Sequence, residues 1–86
     1  MKDKMGMVEK LVVSRYPELR GSLIWNYTIS RDLLFGFQNH NVYKTKETLI
    51  LKAPLKYRDQ ILLISKVVGI FFDHMFWDEK EVTFEL

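Results

Sequence analysis

Two histidines, a carboxylate cluster over residues 73–85, and a central run of lysines interleaved with aromatics are the groups in this chain with chemical potential. Histidine is the one side chain whose ordinary pKa lies near neutrality. His40 stands between Asn39 and Asn41, a setting that reads as a polar turn. His74 has Asp73 beside it and Asp78 four positions on. On a helix, residues four apart share a face, so His74 and Asp78 together could grip a cation. Two ligands do not make a site, and no third stands at a recognisable spacing. A histidine near a helix carboxyl end is also expected from the macrodipole alone. No metal site and no cofactor are expected.

Asp78, Glu79, Glu81 and Glu85 could supply paired carboxylates. Acid–base catalysis needs one such group with a displaced pKa, hence some burial, whereas a turn leading into an alternating strand leaves most of them in water. Ser14, Ser22, Ser30 and Ser65 lack a nucleophile-elbow context, and Gly6, Gly21, Gly36 and Gly69 are too dispersed for a phosphate loop. The chain is therefore expected not to be an enzyme and to take no small-molecule substrate.

Nucleic acid is the stronger chemical reading. Trp25, Tyr27, Phe35, Phe37 and Tyr43 could form a stacking surface, and Lys44, Lys46, Lys52, Lys56 and Arg58 could meet phosphates. Against it, the aromatic face of a strand is normally the one covered by helices, and no established nucleic-acid motif is present.

The elements that position these residues follow from periodicity. Residues 3–16 read as an amphipathic helix through Met5, Val8, Leu11, Val12 and Tyr16, stopped by Pro17. From Ser22 the period becomes two, with Leu23, Trp25, Tyr27 and Ile29 on one face of a strand. Residues 33–37 fit a second strand, with a short helix capped by Ser30 as the alternative, and Gly36 could mark a bulge. A turn at Asn39, His40 and Asn41 leads to a third strand, clearest over residues 48–53. Residues 55–77 read as one long helix. Val82, Phe84 and Leu86 mark a final strand after a turn at residues 78–80. The expected fold is a single α+β domain over residues 1–86, in the order α-β-β-β-α-β. Its helices should pack on one face of an antiparallel or mixed sheet.

The long helix carries the functional expectation. At 100° per residue its apolar positions cover more than half the circumference, wider than the ~100° stripe a surface helix usually buries. Ile64, Val68 and Phe71 are expected in the core against Trp25, Tyr27, Val82 and Phe84. Leu62, Phe76 and Trp77 interrupt the polar strip and, with Phe72, are expected at a protein interface. The reading is thus a protein–protein interaction module, a homodimer or a small subunit of a complex, with a nucleic-acid-binding accessory role as the alternative.

Composition bounds the rest. With 48% hydrophobic residues the chain can offset the entropy of ordering. It has no cysteine, which excludes disulfides and thiolate zinc sites and favours the cytoplasm. The run from Ile61 to Trp77 includes Lys66, Asp73 and His74, too much charge for a membrane span. Net charge is +2, but twelve Lys and Arg face six Asp and Glu up to Lys66, whereas one Lys faces five acids beyond it. Such polarity can steer a charged partner.

Overall fold

The computed structural model describes residues 1–37 and 40–86, and at Phe37 the backbone alone. Among the described residues, the chain forms helix α1 (Lys2–Arg15), strands β1 (Ile24–Phe37) and β2 (His40–Pro54), helix α2 (Arg58–Val68), and strands β3 (His74–Trp77) and β4 (Glu81–Glu85). The strands make one antiparallel sheet in the order β1-β2-β4-β3. This is the α+β class expected, and the order of elements follows the expected one roughly, with differences in two places.

The first is the long helix. It begins at Arg58, after a single 3-10 turn over Leu55–Tyr57, and it ends at Val68. Gly69 stops it with φ near +100°, a conformation cheap only for glycine. The Gly69 N–H donates to the Ser65 and Lys66 carbonyls, and the Ile70 N–H to Ser65. These bonds satisfy carbonyls that the helix end would otherwise orphan. Residues 74–77, read as the last turns of that helix, are instead edge strand β3. The second difference is that the two strands expected over residues 22–30 and 33–37 are one strand, β1, which starts at Ile24 and carries an irregularity between Leu33 and Phe35. Asn39 of the expected turn lies outside the described residues, while His40 and Asn41 already belong to β2.

Strand alternation decides which side chains meet the helices. Leu49, Leu51 and Ala53 of β2 are buried on one face, with Val82 and Phe84 of β4 directly beside them in register. Val8 and Val12 of α1, Leu19, Leu23, Ile61 of α2 and Ile70 complete the core. Trp25 and Tyr27 lie half-buried against it, as expected from the sequence. Phe71 does not: it is 64% exposed, because the chain leaves the helix at Gly69 and Phe71 falls in the connection to β3. Ile64 and Val68 are half-buried. The aromatic in the core is Phe84, with the Phe72 ring 5.2 Å away between centroids. Among the described residues Ser65 is the one buried polar side chain, and its hydroxyl donates to the Ile61 carbonyl at 2.8 Å.

The two ends of the helix layer are tied by polar contacts. The Trp25 indole N–H donates to Glu9 of α1 at 2.9 Å. Tyr57 donates its hydroxyl proton to the Glu18 carboxylate, and its ring packs 5.1 Å from that of Tyr16. That bond holds the Glu18 carboxyl below, and the Tyr57 phenol above, their ordinary pKa values.

Candidate interaction surface

The β1–β2 hairpin is far longer than the domain it leaves. Its strands run 14 and 15 residues, against a usual ~5–6. β4 pairs only with residues 50–54 of β2. Everything outward of Thr28 and Thr48 is consequently a two-stranded ribbon. The register runs eight further steps from Ile29 to Phe37, about 27 Å at ~3.4 Å per residue. The molecule measures 55 × 26 × 20 Å with a radius of gyration of 16.1 Å. A compact chain of this length would show about 12 Å. The difference is the arm.

The arm is not polar. Ile29, Leu33, Leu34, Phe35, Val42 and Tyr43 are each between 44% and 63% exposed. Before the bulge, Ile29, Arg31 and Leu33 lie on the helix side of the sheet with Tyr43, Thr45 and Glu47 opposite. The Arg31 guanidinium lies over the Tyr43 ring at 4.6 Å, shielding part of it. The extra residue at Leu34 shifts the pairing, so that Phe35 opposes Val42 on the other face. Asp32 opposes Lys44 on that same face. Apolar groups thus stand on both sides of a ribbon that no helix covers, where a monomer usually keeps such patches small.

The candidates for a partner interface are divided by the fold. Leu62 and Phe72 are half-buried against the core, while Phe76 and Trp77 sit on β3, each 56% exposed. Their side chains alternate: Phe76 points with Thr83 to the open face, and Trp77 with Val82 to the helix side. The Arg58 guanidinium lies 5.1 Å over the Trp77 ring.

The nucleic-acid candidates are divided as well. Lys44, Lys46 and Lys52 occupy alternate positions of β2 and share the open face. Trp25, Tyr27 and Tyr43 belong to the helix side, so lysines and aromatics do not converge on one surface. Phe35 does stand on the lysine face; of Phe37 only the backbone pairing with His40 is described. Lys56 lies over the Tyr57 ring at 5.6 Å, and Arg58 pairs with Asp59 at 3.1 Å.

His74 opens β3 and is exposed, its ring stacked 6.3 Å from Phe76. His74 opens an extended strand and Asp78 follows its end, so about 13 Å of chain separates them in place of one helical turn. Asp78 instead accepts the N–H groups of Lys80 and Glu81 at 2.8 and 2.9 Å, shaping the β3–β4 turn. Those two bonds lower its pKa. Among the described residues, no three His, Asp or Glu gather closely enough to hold a metal, and no helix is long and apolar enough to cross a membrane. A groove of about 420 Å³ lies between the helices, lined by Arg15, Tyr16, Gln60, Leu63, Ile64 and Val67. Its one charged group is a guanidinium, so it offers neither a nucleophile nor an acid–base pair.

Compared with known proteins, the chain matches no family model, no curated protein and no solved structure.

The arm could not have been located from sequence alone. Its residues alternate like any strand, and its isolation depends on how little of β2 is covered by β4. The shared face of Lys44, Lys46 and Lys52 was readable from their even spacing.

Proposed function

We propose that this chain is a non-enzymatic protein–protein interaction module of the cytoplasm, working as a homodimer or as a small subunit of a complex, with the hairpin arm as its contact surface. One observation carries the reading: an arm projecting about 27 Å leaves six large apolar side chains between 44% and 63% exposed, with no helix over them. Exposed apolar area of that extent is a contact surface or an aggregation hazard. The lack of cysteine supports a reducing compartment. Affinity capture from native extract after nuclease treatment tests the reading, comparing the wild-type chain with Leu33→Asp/Val42→Asp. A protein, foreign or a second copy of the chain, retained by the wild type and lost by the variant is the expected result. Equal retention by both, or none by either, overturns it.

A second reading, nucleic-acid contact, is favoured by the three lysines that share the open face. If they meet phosphates, affinity falls with added salt at a log–log slope near −0.7 to −0.9 per phosphate neutralised. No retention on single- or double-stranded oligonucleotides at low salt removes it.

A further inference from the structure

We infer that the partner of the arm is a second copy of this chain, joined by antiparallel pairing of β1 with β1 about a two-fold axis at Ile29. The inference rests on the protein–protein reading above and supplies its occupant. β1 lies at the edge of the sheet, hydrogen-bonded to β2 on one side only, over 14 residues. From Ile24 to Leu33 this edge faces no other strand, and such an edge is a template for one. The opposite edge, β3, has four residues and offers little.

Symmetry limits the registers sharply. Two identical antiparallel neighbours are related by a two-fold axis perpendicular to the sheet, so one residue must face its own copy. Opposed residues in such a pair point to the same face. Centring on Arg31 or on Asp32 sets like charges against each other. A centre at Thr28 opposes Asp32 to Ile24, and a centre at Ser30 opposes Arg31 to Ile29. Centring on Ile29 opposes no like charges and pairs the run from Trp25 to Leu33, up to the bulge. On the helix side Ile29 meets Ile29 of the second copy, Tyr27 meets Arg31, and Trp25 meets Leu33. On the open side Thr28 meets Ser30 and Asn26 meets Asp32. Arg31 and Asp32 thereby stand opposite a ring and an amide of the second copy and meet no like charge. Pairing ends where the bulge at Leu34 breaks the ladder.

The same register places the arm of each copy beside the core of the other. Leu33, bare in a single chain, comes to lie next to Trp25 of the second copy, which is hydrogen-bonded to Glu9 at the edge of its helix layer. Both helix layers fall on one face of a continuous eight-stranded sheet. Of the exposed arm side chains, this pairing covers Ile29 and Leu33.

Because the chain has no cysteine, a single introduced thiol reports its own copy unambiguously. Under mild oxidation Ile29→Cys should cross-link to a covalent dimer in most molecules. Arg31→Cys should not, since its copies stand about 14 Å apart at ~3.4 Å per residue, beyond disulfide reach. Light scattering should give a dimer for the wild type and a monomer for Ile29→Lys, with unchanged circular dichroism because Ile29 is exposed in the single chain. A wild type that stays monomeric at millimolar concentration overturns the inference. So does a dimer that cross-links through Arg31→Cys and not through Ile29→Cys. Either failure leaves the broader reading to the extract comparison, in which a foreign protein lost with the arm variant would still uphold it.

Discussion

The rings of Phe72 and Phe84 meet at 5.2 Å between centroids, tilted by 34°, and join the connection after α2 to the central strand β4. Phe84 is fully buried, with Leu51 and Met75 directly opposite on its two neighbouring strands. Removing it takes the largest side chain from the core and leaves a cavity that neighbours cannot fill.

Phe84→Ala should therefore destabilise by about 3–5 kcal/mol, a large share of the ~5–15 kcal/mol typical of a domain. Phe71→Ala, on the exposed connection, should stay within about 0.5 kcal/mol of the wild type. Urea unfolding of the two variants side by side checks both. Comparable losses would mean that Phe71 is covered in solution.

That pair also shows where the sequence was legible. The strand faces through Trp25, Tyr27, Val82 and Phe84 announced themselves by their period of two, and Val8 and Val12 by their helical spacing. Residues 70–77 carried no period at all. Ile70, Phe71, Phe72, Met75, Phe76 and Trp77 are apolar on every side, and such a run cannot distinguish helix from strand. The deciding signal was Gly69, a glycine immediately after the last amphipathic turn, which is where helices stop. The interface candidates failed to gather for the same reason: Leu62 is on a helix, Phe76 and Trp77 on a strand, and Phe72 between them.

Gly69→Ala should destabilise by about 1 kcal/mol or more, because alanine is strained at φ near +100°. An added Cβ would also stand 3.3 Å from the Lys4 ammonium nitrogen, which belongs to a flexible side chain. Combining the change with Lys4→Ala should therefore recover little. Full recovery in the double variant would place the cost in the contact and not in the backbone.

The Tyr57–Glu18 bond makes stability sensitive at both pH extremes. The Glu18 pKa is lowered by folding, so its contribution is present above the unfolded carboxyl value and lost as pH falls through the folded one. The Tyr57 pKa is raised, so its contribution is present below the unfolded phenol value and lost as pH rises through the folded one. Tyr57→Phe should lower the melting temperature near neutrality and narrow its gap to the wild type below about pH 4. A gap that persists unchanged in acid would assign the loss to ring packing against Tyr16.

Glu9→Ala should cost about 0.5–1.5 kcal/mol by removing the acceptor of the Trp25 indole. It should also shift the emission of Trp25, read in a Trp77→Phe background because the chain has two tryptophans. Glu9→Gln keeps an acceptor oxygen and should restore most of the stability. Unchanged emission in Glu9→Ala would show that the indole N–H has another partner in solution.

The strand order β1-β2-β4-β3 sets when this molecule can fold during its own synthesis. The hairpin and both helices emerge first, yet the inner face of β2 at Leu51 and Ala53 has no neighbour on its second side until β4 arrives. Nascent chain up to Trp77 therefore carries the long arm and an open hydrophobic sheet at once, the species most prone to wrong pairing. Only when residues 81–85 leave the ribosome can Val82 and Phe84 slot between β2 and β3, so closure of the core comes in a single late step.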